Sequence, residues 1–300
     1  METRPCRVLP SKTRRGRRVS KTHPAQPPRH RVTPVRPPVP PPTAKKLNQI
    51  AAQLYTVRDF CRTGPDLAVT ARKVRALGYQ AVQLSGLGPI PEDEIVRIMA
   101  GEGLVICATH APSTVILDEP ERAIDTLRKL GCSLTAYAWP EGIDFGDAGV
   151  LRRFARRLDA SGAKFREAGL TLGYHNHDLE FIPFEGAPFL EYLFAHTDSR
   201  NLVSELDTYW VHYGGGDCVE WCRRLRGRLP FIHLKDYRMT VQRQPAFAEI
   251  GQGTLPFRRI IAEAEQSGCR WFIVEQDTCP NDPFTSLGIS LEYLQTHLVS

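Results

Sequence analysis

The chain has 300 residues, 42 % of them apolar, and a formal net charge of +6. That suffices for one sizeable core, and no apolar run approaches the roughly 18 residues of a membrane span, so a membrane partner is not expected. The charge is uneven: residues 1–46 hold 13 Lys and Arg against Glu2 alone, which leaves 26 basic and 32 acidic residues in 47–300. The body is mildly acidic, which argues against a nucleic-acid partner.

Residues 1–46 carry 11 of the 24 prolines, including Pro40-Pro41-Pro42, and no Phe, Trp or Tyr. Such a segment cannot bury enough apolar area to offset its ordering entropy, so a disordered basic tail, partly polyproline II, is expected. A nucleic-acid arm, a nuclear or organelle address, and a dispensable extension are the readings open to it. No apolar stretch of secretory type precedes Ile50. The 8 cysteines include no Cys-x-x-Cys pair. Free thiols in a reducing cytoplasm are therefore expected.

From residue 47 the chain alternates between short apolar runs and helical periods. The strand candidates are 50–55, 80–85, 104–109, 133–139, 170–175, 202–207, 230–235 and 271–276. Most are apolar on both faces, as strands covered on both sides should be. Helices are predicted over 66–77, 120–130, 147–168 and 256–267. Pro120 and Pro256 stand at starts and Gly78, Gly131, Gly169 and Gly268 at stops. A helix is also expected around Cys218 and Cys222. Eight strands in about 250 residues predict a (β/α)8 TIM barrel over 47–300. The competing doubly wound sheet lacks its expected glycine-rich loop, since Leu54-Tyr55-Thr56-Val57-Arg58 follows the first strand.

Four strand ends carry chemistry: His175-Asn176-His177, Glu205-Leu206-Asp207, His233-Leu234-Lys235-Asp236 and Glu275-Gln276-Asp277. Side chains at i and i+2 share a face of a strand, and the C-terminal strand ends of such a barrel converge on its mouth. Asp207, His233 and Glu275 come from three successive strands and suit one divalent cation, with His175 as fourth ligand and His177 next in line. Mixed imidazole and carboxylate donors favour Mn²⁺, with Mg²⁺, Co²⁺, Zn²⁺ and Fe²⁺ as alternatives. Lys235 is a candidate for stabilising an oxyanion, against a rim salt bridge with Asp236. His110 is a candidate proton donor or acceptor. Tyr137 and Trp139 share a face and offer an apolar wall for a sugar ring, and Gln53 and Gln83 are candidates for binding polyol hydroxyls. Asp236 is a further candidate substrate contact, and Gly251-Gln252-Gly253 is expected to be a mobile loop at the mouth.

These segments resemble the sugar phosphate isomerase/epimerase family, the xylose isomerase-like barrels. The match runs through Gln53-Leu54-Tyr55-Thr56-Val57-Arg58, Gly173-Tyr174-His175-Asn176-His177-Asp178, Glu205-Leu206-Asp207-Thr208-Tyr209-Trp210, His233-Leu234-Lys235-Asp236 and Val274-Glu275-Gln276-Asp277. The resemblance implies one divalent ion held by an acid after strand five, Asp207, His233 and Glu275. The strand-five position departs: His175 stands where the family has Glu. That departure is similar to the His-Asn-His, inosose dehydratase-like branch, and it removes one of the two carboxylates the family's epimerases use as acid and base.

The resulting expectation is a metal-dependent isomerase or epimerase of a sugar, keto-sugar or polyol, with Glu275 as base and His175, His177 or His110 as opposing acid. Dehydration of a keto-inositol or 3-keto-sugar is the alternative, because one enolate serves both outcomes. An apurinic-site endonuclease, an iron oxygenase built on His175, His233 and Asp207, and a non-catalytic sugar binder are the weaker rivals. Homo-oligomerisation is left open.

Overall fold

A computed structural model describes residues 47–297. The tail expected over 1–46 lies outside the described residues. Eight parallel strands close into a barrel: β1 (Ile50–Gln53), β2 (Ala81–Leu84), β3 (Val105–Ala111), β4 (Leu134–Tyr137), β5 (Thr171–His175), β6 (Leu202–Asp207), β7 (Phe231–Leu234) and β8 (Trp271–Val274). Each pairs with its sequence neighbour, and β8 pairs with β1 through Ile50–Phe272 and Ala52–Val274. Every predicted strand exists. Three stop two residues early: β1 ends at Gln53, whose side-chain oxygen accepts the Tyr55 N–H and opens a 3-10 turn, β4 ends at Tyr137 and β8 at Val274.

The helices are α1 (Gly64–Leu77), α2 (Glu92–Gly101), α3 (Ser113–Asp118), α4 (Pro120–Lys129), α5 (Ala148–Glu167), α6 (Phe189–Ala195), α7 (Thr208–Tyr213), α8 (Cys218–Arg224), α9 (Phe257–Gln266) and α10 (Pro283–His297). Their starts follow from local chemistry. Thr63 accepts the Asp66 N–H ahead of α1, and Asp147 accepts the Gly149 and Val150 N–H groups ahead of α5. Caps of this kind satisfy donors that the first helical turn leaves without partners.

Two apolar layers result. Strand residues such as Val82, Leu172, Leu206 and Ile232 face outward and pack under helix residues such as Val74, Leu127, Phe154 and Ile260. A smaller cluster, Ala51, Ala81, Ala108, Ala136, Phe231 and Ile273, fills the floor of the barrel. Small residues on four strands leave room for the Phe231 ring. A Cβ on Gly173 would lie 2.5 Å from that ring, so β5 needs glycine there. On the outside, a Cβ on Gly162 would lie 2.1 Å from the Asn201 carbonyl oxygen, which is why α5 seats so closely against the entry to β6. Among the described residues no helix is long and apolar enough to cross a membrane.

After β7 an antiparallel hairpin, Asp236–Met239 with Pro245–Ala248, rises beside the mouth. Its Phe247 ring packs 4.1 Å from Tyr209 and 5.9 Å from Trp210. Sequence patterning did not reveal this hairpin, because its strands are only four residues each.

Candidate active site

Period-two alternation decides what stands above the floor. Six inward-facing residues low in the barrel are followed two positions later by a polar one: Ala51 by Gln53, Ala81 by Gln83, Ala108 by His110, Gly173 by His175, Phe231 by His233 and Ile273 by Glu275; on β4, Ala136 is followed by Ala138. On β6, Val203 is followed by Glu205 and then Asp207. The apolar floor and the polar layer are thus one strand pattern read at two heights.

Ligand-type atoms of His175, Asp207, His233 and Glu275 lie within 4.8 Å of one another, and all four residues are buried. His233 Nδ1 is 2.8 Å from Glu275 Oε2 and 3.9 Å from Asp207 Oδ2. His175 Nε2 is also 3.9 Å from Asp207 Oδ2. The two carboxylate oxygens of Asp207 have different jobs. Oδ1 accepts the Trp210 N–H at 3.0 Å and caps α7, whereas Oδ2 is buried with no hydrogen bond among the described residues. Asn176 Oδ1 accepts the Asp207 N–H at 3.0 Å, which ties the His-Asn-His segment to β6. A buried carboxylate oxygen that faces two imidazoles and a second carboxylate, with the Lys235 ammonium 3.1 Å away, fits a divalent transition-metal ion.

Lys235, 1 % exposed, sets its ammonium 3.1 Å from Asp207 Oδ2, 2.8 Å from Glu275 Oε2 and 3.0 Å from Asp277 Oδ1. Burial works against its charge, yet Asp207 and Glu275 hold the amine protonated well above the ordinary lysine range. It is therefore a fixed cation and not a free amine nucleophile. The rim salt bridge to Asp236 does not form. Burial would raise the Glu275 carboxyl, but Lys235 and His233 keep it well below the usual carboxylate range. Burial raises Asp207 to about 6 against the pull of Lys235. Burial and the neighbouring His233 push His175 down to about 3, so its imidazole is neutral and able to ligate.

Glu205 was legible only as a face-mate of Asp207, and the structure makes it a hub. Its Oε2 is 2.6 Å from His110 Nε2 and 3.3 Å from His175 Nδ1; its Oε1 accepts from Gln83 Nε2 at 2.7 Å and lies 3.2 Å from His233 Nε2. Burial alone would neutralise this carboxyl, but His233 and His110 hold it well below the usual range.

A cavity of about 510 Å³ opens over this layer, lined among others by Tyr55, Trp139, His177, Trp210, Lys235 and Glu275. Trp139 is 51 % exposed and meets the His177 ring edge-on at 4.9 Å. His177 Nδ1 and Trp210 Nε1 are buried there without hydrogen-bond partners among the described residues. A neighbouring cavity of about 390 Å³ shares Ser85 and His110 with it but is walled mainly by apolar side chains of β2, β3, α2 and α4.

Five sequence expectations are corrected. Gln83 is fully buried, and its amide links Glu205 to His233, leaving nothing for a substrate. Gln53 is also fully buried and lies outside the cavity lining. Asp236 faces away from the cavity: its carboxylate accepts the N–H groups of Tyr237, Gly251, Gly253 and Leu255 at 2.8, 3.0, 2.9 and 3.2 Å. The Gly251-Gln252-Gly253 loop is thereby pinned at both glycines. Tyr137 belongs to the outer core, stacked on Tyr174 at 5.8 Å, because β4 ends before Trp139 turns toward the mouth.

Comparison with known proteins agrees with this geometry. The family model described as xylose isomerase-like TIM barrel matches residues 71–297. The inosose dehydratase of Geobacillus kaustophilus is 33 % identical over 149 residues, covering 43 % of this chain. That match spans 47 % of the relative's own length, about half. A sugar phosphate isomerase/epimerase from Parabacteroides distasonis has a similar structure, with a TM-score of 0.72 at 21 % identity over 84 % of this chain and 99 % of that one. A xylose isomerase-like TIM barrel protein from Mycobacterium smegmatis, solved in complex with magnesium, gives a TM-score of 0.67 at 16 % identity over 84 % and 96 % of the two chains. At these identities the structural likeness concerns the fold.

Proposed function

We propose, for a chain that belongs to the xylose isomerase-like TIM barrel family, a divalent-metal-dependent isomerase or epimerase acting on a sugar, keto-sugar or polyol. The carrying observation is the convergence of His175 Nε2, Asp207 Oδ2, His233 Nδ1 and Glu275 Oε2, of which His175 and Glu275 line the cavity. When bound there, a cation such as Mn²⁺ supplies Lewis-acid polarisation of a substrate carbonyl and balances the charge of the enediolate. Mg²⁺, Co²⁺, Zn²⁺ and Fe²⁺ are the alternatives, and the two imidazoles favour the transition metals over Mg²⁺.

The remaining steps belong to the protein. Glu275, kept ionised by Lys235 and His233, removes the proton next to the carbonyl. Lys235 holds a fixed positive charge against the developing oxyanion. β3 and β5 stand across the barrel from β8, so His110 and His177 face Glu275 from the opposite wall and return the proton. Trp139 and Trp210 flank His177 and offer apolar faces to a sugar ring, while the unpartnered Trp210 indole N–H can donate to a hydroxyl. Asp277 and Asp178 keep the cavity acidic, which suits a neutral substrate.

Dehydration is the second reading, favoured by the inosose dehydratase relative. It uses the same proton abstraction and differs only in expelling a β-hydroxyl. A reducing cytoplasm is the compartment we assign, because Cys61, Cys107, Cys132, Cys218 and Cys222 are buried free thiols. The deciding experiment measures metal content of the purified protein and then deuterium uptake from heavy water into a panel of keto-sugars and inososes. Exchange that stops with a chelator and returns with Mn²⁺ supports the reading. Lack of metal uptake together with lack of exchange would sink it, and the products separate isomerisation, epimerisation and dehydration.

A further inference from the structure

We infer that Glu205 is a positioning residue that selects which nitrogen of each histidine ligand faces the cation. The inference rests on the metal-dependent reading above and adds a residue that does not touch the substrate. Glu205 is fully buried at the centre of the polar layer, and its carboxylate reaches imidazoles from three different strands.

A carboxylate can only accept, so the nitrogens aimed at it carry hydrogens. His233 Nε2 lies 3.2 Å from Glu205 Oε1 and 2.7 Å from Gln83 Oε1, two acceptors, while the Gln83 amide nitrogen donates back to Glu205 at 2.7 Å. His233 Nε2 is therefore the nitrogen that keeps its hydrogen; Nδ1 bonds to Glu275 Oε2 at 2.8 Å and faces Asp207 Oδ2 at 3.9 Å, and the Nδ1 proton is the one a cation would displace. His175 sets Nδ1 3.3 Å from Glu205 Oε2, without a formed hydrogen bond among the described residues, and Nε2 faces Asp207 Oδ2 at 3.9 Å. One carboxylate therefore stands behind both rings and leaves the opposite nitrogen of each facing the same point. The same oxygen holds His110 Nε2 at 2.6 Å, which fixes that ring in the cavity wall. Carboxylate–histidine–metal triads work in this way, orienting the ring and raising ligand basicity.

His110, His175, Glu205 and His233 also lie within 4.8 Å of one another, the spacing of a second cation site. The hydrogen bonds argue against one. A cation there would sit among N–H groups that point at Glu205, and His175 and His233 would each have to lose both ring protons to serve two ions.

The test uses the full-length chain stripped with a chelator and titrated with Mn²⁺. One ion per chain is expected, and Glu205→Gln should weaken binding by about 10- to 100-fold, the usual cost of removing such a partner. The readout that mere packing damage would not move is the histidine tautomer, taken from ¹⁵N NMR of the zinc-loaded protein. Wild type should coordinate through Nδ1 of His233 and Nε2 of His175. Coordination through the opposite nitrogen of either ring overturns the inference, and this spectrum decides the matter even if Glu205→Gln does not fold. Two ions per chain, or undiminished affinity in Glu205→Gln, overturns it as well while leaving the functional reading intact. A wild type that takes up no divalent ion removes both.

Discussion

Glu275 touches both cations of the site, Lys235 Nζ at 2.8 Å and His233 Nδ1 at 2.8 Å. Glu275→Gln keeps the shape but removes the base, so deuterium exchange should fall by about 10²- to 10⁴-fold while the thermal melt changes little. Glu180 offers a pH test away from the cation. Its carboxylate accepts the Tyr174 O–H at 2.6 Å and the His177 N–H at 2.7 Å, and burial raises it to about 7 from 4.5. The folded state then holds this proton more tightly than the unfolded one, so the group's contribution to stability is full below pH 4.5 and declines as pH rises toward 7. The slope is about 1.4 kcal/mol per pH unit, so roughly 3 kcal/mol is lost across the window. Denaturant melts of wild type and Glu180→Gln between pH 4.5 and 7.5 should differ by that slope, and parallel curves would refute it. Asp207, His233 and Glu275 were legible one by one, because each ends an apolar run. Glu205 and Gln83 were not, because their partners come from β2, β3, β5 and β7, which no local pattern links.

Between the strands, the loop after β7 depends on one side chain. Asp236 gathers four backbone N–H groups and is fully buried. Asp236→Ala should cost about 2–4 kcal/mol in urea denaturation, since buried donors without acceptors each carry a penalty of order 1–3 kcal/mol and part of the loop regains water. Asp236→Asn should recover part of the loss. α7 is a second case. It is six residues long, and its cap is Asp207, so a metal-ligand candidate also starts a helix. Helices α1, α4, α5 and α9 were readable to within two residues from their apolar spacing and their Pro and Gly punctuation, whereas α2 and α10, of 10 and 15 residues, were not read. The hairpin at 236–248 and the short α3, α6 and α7 were not, because six or seven residues do not establish a helical period and four do not distinguish a strand from a loop.

Closure of the barrel concentrates like charge. Glu205, Asp207, Glu275 and Asp277 are drawn together with Lys235 as the one lysine among them, and desolvated carboxylates repel unless a cation is close. A cation that binds only the folded chain stabilises it by mass action, about 2.7 kcal/mol at a hundredfold excess over Kd. For a barrel of this size that is a rise of roughly 5–10 °C in Tm on adding Mn²⁺ to chelated protein. A melt unmoved by Mn²⁺ would speak against a site at this point. The sequence alone determined the barrel, its strand order and three of the convergent groups, because burial on both faces and side-chain alternation are local properties written into each segment. The tertiary structure decided which polar groups serve the site and which serve the fold. Only closure brings Glu205 under two imidazoles, turns Asp236 onto a loop and sets one oxygen of Asp207 against Lys235, since those contacts join residues far apart in the chain.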